Sequence, residues 1–332
     1  MKPHSLRLGF ITFAILSISS GQAYAVSYTF TDLGTLGGTA SYAHGINNTG
    51  QVAGYSFTAG NAAHHTIRWE GTTAIDLGTM GGSSSFAYGI NAAGQVAGGS
   101  FTAGNAAVHA TRWDGTTATD LGTLGGSFSA ANNINAIGQV VGISATAGDV
   151  GYRATRWDGT TATDLGTLGG SYSAASAIND AGQVAGGSST AGDVGSHATR
   201  WDGTTATDLG TLGGSDSFAY AINAIGQMVG FSTTADNAGF QATLWDGTTA
   251  TNLNSFLTAS EISAGWILQS ANDINDSGSI VGQALNINTG ASTAYLLTAS
   301  PSVAAVPEPE TYALMLAGLG VLGFVARCRQ SR

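Results

Sequence analysis

A seven-residue phrase, Asp32-Leu33-Gly34-Thr35-Leu36-Gly37-Gly38, returns at Asp76, Asp120, Asp164 and Asp208 at a constant interval of 44 residues. Asn252-Leu253 keeps the beat in a degraded sixth copy. Between phrases lies a second constant element, Ile178-Asn179 followed by Gly182-Gln183 and a hydrophobic pair ending at Gly186. A fixed period of this length makes each unit one supersecondary motif that stacks on its neighbours. Glycine occupies 50 of 332 positions, which taken alone would suit a flexible coil. The strict spacing, with a Trp and an Ile anchor in each period, argues instead for packed β-structure.

One period reads as four short strands, in the third copy Ser129 to Asn135, Gln139 to Ala145, Tyr152 to Trp157 and Thr160 to Leu165. Asp158-Gly159, repeated at Asp114, Asp202 and Asp246, predicts a type I′ hairpin between the third and fourth strands. Gly138 and Gly182 mark a second tight turn in the Gly-Gln phrase. In the first strand, Phe218-Ala219-Tyr220-Ala221-Ile222 alternates small and bulky residues. The small face predicts crowding at an axis, and the bulky face, with Trp69, Trp113, Trp157, Trp201 and Trp245, predicts the filling between sheets. The Ile-Asn strand occurs at Ile46, Ile90, Ile134, Ile178, Ile222 and Ile274. The expected fold is therefore all-β, a six-bladed β-propeller of four-stranded antiparallel blades. Its sixth blade would stop at Ala294 to Leu297 and be closed by the N-terminal strand Tyr28 to Gly34. A β-solenoid is the alternative architecture. Eight extra residues enter before Ile274 and predict a short capped helix, and the unique residues Glu261 and Trp266 there form a candidate binding loop.

Charge restricts the partners. Charged residues are 9% of the chain, and of the twenty carboxylates only Glu308 and Glu310 lie in the tail. The repeats contain no lysine and only five arginines, Arg68, Arg112, Arg153, Arg156 and Arg200. An acidic body of this kind disfavours nucleic acid and anionic lipid. Lys2 and Arg7 precede an apolar run, and Ala23-Tyr24-Ala25 has the small-x-small pattern of a signal peptidase site, so residues 1–25 read as a signal peptide. Residues 26–300 are the repeat domain.

Two resemblances follow from these motifs. The joined Ile-Asn-x-x-Gly-Gln and Asp-Leu-Gly-Thr-Leu-Gly-Gly phrases resemble the extracellular HAF repeat family, although His109-Ala110-Thr111 and His197-Ala198-Thr199 carry Thr in place of the family's Phe. That resemblance implies an exported repeat protein and names no reaction. Residues 301–332 contain Val306-Pro307-Glu308-Pro309, an uncharged run from Thr311 to Ala326 and Arg327-Cys328-Arg329. This resembles the PEP-CTERM sorting signal of Gram-negative bacteria that make exopolysaccharide, which implies exosortase as a partner and a short C-terminal membrane helix. The run would make about 24 Å of helix, short for a permanent span, although a plain single-span anchor is the alternative.

Chemical signatures are sparse. Gly318 to Gly323 spells a nominal dinucleotide fingerprint but opens no βαβ unit. Cys328 is the only cysteine, which leaves the repeats no disulfide, thiol nucleophile or Cys-based zinc site. His65, His109 and His197 fall in different repeats, and the calcium-like Asp273-Ile274-Asn275-Asp276 has Ala284 where a bidentate acid belongs. No catalytic, cofactor or metal residues are assigned. Residues Arg112 to Ser127, Arg156 to Ser171 and Arg200 to Ser215 are identical, whereas an enzyme breaks its symmetry to gather acids and bases in one place. The expected function is a non-enzymatic scaffold of the cell surface or matrix, with exopolysaccharide as a candidate partner and a membrane only before processing. A propeller-type polysaccharide lyase or glycosidase is the alternative.

Overall fold

The computed structural model describes residues 29–237 and 239–299. The signal peptide with Ala23 and Ala25, residue Tyr28, and the sorting segment with Val306 to Pro309 lie outside the described residues. The repeats fall within one compact unit that begins at Leu33.

Every full repeat is a four-stranded antiparallel meander. In the third these strands are Gly125–Ile134, Val140–Thr146, Tyr152–Asp158 and Thr161–Asp164. Single parallel bridges, Val108 to Phe128 and Ser196 to Asp216, link the second repeat to the third and the fourth to the fifth. None of the sheets closes into a barrel. The third-to-fourth hairpin differs from the expected one. Asp158 still pairs with Thr161, so the two-residue loop is Gly159-Thr160. Only its glycine has positive φ, at 63°. That is the II′ pattern, with Gly first, rather than I′. The Gly-Gln turn is as expected: Gly138 at φ 82° donates its amide to the Asn135 carbonyl.

The first strand starts earlier than its alternation suggested because Gly125 pairs with Thr146 across an irregularity. After the second strand a short 3-10 turn ends on Asn61, Asn105, Asp149 or Asp193, and a plain turn leads to Asn237 in the fifth repeat, all five at φ of 50–59°. Each of these side chains accepts an amide from the start of its own first strand, Asp149 from Ser127 at 2.7 Å, for example. The hydrogen bond offsets the cost of the left-handed backbone.

The core lies between consecutive repeats. Val141, Ala154 and Leu165 of the third repeat pack against Ala175, Ile178, Val184 and Trp201 of the fourth. The same set recurs one repeat earlier, with Ala97, Ala110 and Leu121 against Ala131, Ile134, Val140 and Trp157. The tryptophans therefore fill the inter-sheet space as expected. Of the bulky first-strand residues only the isoleucine does. Ala87, Ala131, Ala175 and Ala219 point into the core and are fully buried, and Phe218 and Tyr220 face the other way. Small residues are required because first strands of neighbouring repeats nearly touch. A Cβ on Gly89 would sit 3.1 Å from the Asn133 Cα.

The insertion folds as a 3-10 turn, Leu253–Phe256, and a helix, Ala259–Ser263, whose capping box joins Thr258 and Glu261. The sixth sheet has three strands, Trp266–Ile274, Ile280–Asn286 and Ser292–Leu297. The expected closing strand is not formed. Residues 29–35 carry no strand, and among the described residues Ser292–Leu297 pairs only with Ile280–Asn286. The end faces differ from the interior ones accordingly: Ile46 is exposed, whereas Ile134, Ile178 and Ile274 are buried.

Candidate functional site

A recurring set of polar side chains joins consecutive repeats. Asn135 Nδ2 donates to Gln139 Oε1 at 2.9 Å and to the Asn179 carbonyl of the next repeat at 3.2 Å, while its Oδ1 accepts the Gln139 amide at 2.9 Å. Asn47, Asn91, Asn179 and Asn223 make the same step to the repeat that follows each of them. The Ile-Asn-x-x-Gly-Gln phrase is thus a staple between repeats. Because Asn135 is 3% exposed, Asn135→Ala orphans a buried carbonyl and amide and is expected to cost about 2–4 kcal/mol. Guanidinium titration of the variant against the parent measures this.

The Asp of the Leu-Gly phrase caps its turn, as the sequence suggests. Asp120 Oδ1 accepts the Gly122 amide at 2.8 Å, and Asp76, Asp164 and Asp208 do the same. A second task was not foreseen. His65, His109 and His197 each place Nδ1 2.8–2.9 Å from the carboxylate of Asp76, Asp120 and Asp208 across the hairpin. An eleven-residue His-to-Asp spacing in three of the periods was the available signal. These pairs occur in the first, second and fourth repeats, and the carboxylates of Asp158 and Asp202 are likewise occupied by Arg156 with Gln139 and by Arg200 with Gln183.

The first-strand face opposite the core carries the surface that differs most between repeats. In the first two repeats Tyr42 stacks on Tyr55 at 4.9 Å, and His44 stacks on Tyr55 at 5.5 Å. Tyr88 and His44 meet in a T-shaped pair at 5.3 Å, and His64 closes the group against Tyr55. Burial lowers the pKa of His44 and is the main cause that raises that of Tyr55, with Tyr42 and Tyr88 adding to the rise. Burial among the rings thus favours the neutral imidazole. The fifth repeat builds a smaller group from Phe218, Tyr220, Phe231 and Phe240. In the third and fourth repeats the positions of Tyr42 and His44 hold Ala130, Asn132, Ala174 and Ser176. Alternation alone did not reveal this patch, since it cannot say which face is buried.

Glu261 and Trp266 of the candidate loop do come together. Both line a cavity of about 190 Å³ with Leu257, Leu268 and Tyr295. Glu261 Oε2, however, accepts the Thr258 amide at 2.7 Å. That hydrogen bond keeps its pKa below the ordinary carboxylate value. Asp149 and Asp193 are held low by the same kind of backbone hydrogen bond. Their contribution is present above the unfolded carboxylate pKa of about 4 and is lost as pH falls through the lower folded values.

Residues 305–330 match the PEP-CTERM protein-sorting motif family. No curated protein matches the chain. The motif implies that the protein is exported and sorted through processing by exosortase to the cell surface or beyond it. Replacing Glu308 is expected to leave an unprocessed precursor, seen by mass spectrometry as a species that still carries Arg332. Equal processing of variant and parent would remove Glu308 from the recognised motif.

Proposed function

We propose that this protein is a non-enzymatic, HAF-type repeat scaffold of a Gram-negative cell surface or extracellular matrix, and that it holds exopolysaccharide. The observation that carries the reading is the aromatic group Tyr42, His44, Tyr55, His64 and Tyr88. Tyr42 and Tyr88 remain 47% and 41% exposed, and flat rings with a wet edge suit the apolar faces and hydroxyls of sugars. The acidic groups recur at equivalent positions of successive repeats, and Asp120, Asp149, Asp158, Asp164 and Asp208 are each engaged in a local turn or hairpin, an arrangement that argues against one shared general acid/base centre. Among architectures, the β-solenoid reading draws support from the exposed Ile46, Val281 and Leu296 at the ends of the series.

Incubation with the producing organism's own polysaccharide tests the reading. The exported protein should co-sediment with polymer of unchanged length, and Tyr42→Ala with Tyr88→Ala should weaken that binding about tenfold, the effect of losing about 1.4 kcal/mol. Shortened polymer chains would instead mark a lyase or glycosidase.

A further inference from the structure

The two ends of the repeat array have complementary deficits. At the C-terminal end Leu297 stands opposite Ile280, the place that Trp157 takes opposite Val140. No fourth strand covers it among the described residues. A cavity of about 600 Å³ opens there, lined by Leu244, Leu253, Ile274, Ile280 and Leu297. On the outward face of the same sheet Val281 is 44% and Leu296 63% exposed, while Val141, the counterpart of Val281, is fully buried. At the N-terminal end residues 29–36 spell a fourth strand and its loop but form no strand. Phe30 is 92% exposed, and Ile46 on the first sheet is 70% exposed.

The interior repeats give the register in which these ends would meet. Trp113, Trp157 and Trp201 each lie opposite an alanine of the fourth strand, Ala118, Ala162 and Ala206. Carried over, the same pairing sets Phe30 opposite Leu297. Where the interior combines Trp with Ala, this joint combines Leu with Phe, so the bulk is moved across the hairpin and the ring of Phe30 falls toward the cavity. Leu33 then takes the place of Leu121, Leu165 and Leu209, which are buried and donate their amides to Ala110, Ala154 and Ala198 at 2.9 Å. Ala294 is the corresponding acceptor. Its amide would in turn reach Ser41 Oγ, as the amide of Ala110 reaches Ser129 Oγ at 2.8 Å. The asparagine ladder would run on from Asn275, which is exposed unlike Asn135 and Asn179, to the Asn47 carbonyl.

Among the described residues no strand pairing makes these contacts, and Phe30, Ile46, Val281 and Leu296 are exposed. We propose that a second copy makes them: the segment Thr29 to Leu33 of one molecule adds the missing fourth strand to the sixth repeat of another, and the first sheet covers Val281. Such a contact is heterologous and does not close on a dimer, so it extends head to tail.

Paired cysteines test this in the exported full chain carrying Cys328→Ser. Thr29→Cys with Thr298→Cys, opposite one another in the carried-over register, should give a ladder of dimers and higher multiples on a non-reducing gel, and either variant alone should not. Phe30→Asp, at an exposed position, should leave the circular dichroism of the single copy unchanged and weaken self-association at least tenfold in sedimentation velocity, with Ile46→Lys acting likewise. A crosslinked monomer would show that the chain closes on itself and would overturn the proposal. So would a concentration-independent monomer, or assembly that survives both substitutions.

Discussion

Trp157→Ala is expected to lower the unfolding free energy by about 3–5 kcal/mol, the cost of emptying a fully packed aromatic site. Trp157 is entirely buried between the second and third repeats, against Ala97, Ala110 and Leu121. The alanines around it have no longer side chain to lean into the space, so the cavity cannot collapse. Trp157→Phe separates packing from polarity. The indole Nε1 of Trp157 is buried with no hydrogen-bond partner among the described residues, so phenylalanine forfeits mainly volume and should cost about 1–2 kcal/mol. Guanidinium denaturation of the two variants measures the difference. An alanine variant no weaker than the phenylalanine one would show that the repeats do not depend on this contact.

Gly142→Ala should be comparably damaging for a different reason. Its φ is ordinary, but a Cβ there would lie 2.0 Å from the Ala130 carbonyl oxygen, where the first strand bulges beside Gly142. Backbone meets backbone, and no side chain can rotate away. The sheet must open, at about 3 kcal/mol or more. Gly159→Ala is the natural control. It meets nothing within 4 Å, and its only strain is the positive φ of 63°, for which about 1 kcal/mol suffices. Thermal melts that rank Gly159→Ala as the worse variant would contradict the bulge geometry.

What could be read from the residues was whatever the period made redundant. The strands, the Gly138 turn, the Asp120 cap and the missing outer strand of the sixth repeat all follow from local pattern repeated at fixed spacing. The direction of each strand's faces did not. Phe218 and Ala219 alternate equally well either way round, and only the 3.1 Å approach of first strands at Gly89 makes the small face the buried one. The Asp158-Gly159 turn was misassigned because Asp158 still belongs to the ladder and the loop begins one residue later. The aromatic group around Tyr55 was hidden for a related reason: its members come from four strands and two repeats, and no short window of sequence contains them together.

The identity of the 16-residue blocks beginning at Arg112, Arg156 and Arg200 extends to the interfaces they build, since the third repeat meets the second through almost the same side chains with which the fourth meets the third. Each interior repeat accepts its neighbour without reference to its own place in the series. A gene that gained or lost one 44-residue unit between Ile134 and Ile178 would leave every Trp pocket filled and every Asn staple joined. Copy number is therefore open to variation in whole steps at little cost in folding, and the same sameness lets a nascent chain dock a repeat one position out of turn. The differing faces, with Tyr42 and Tyr55 at one end of the series and Phe231 and Phe240 near the other, would then be spaced by the number of plain units between them.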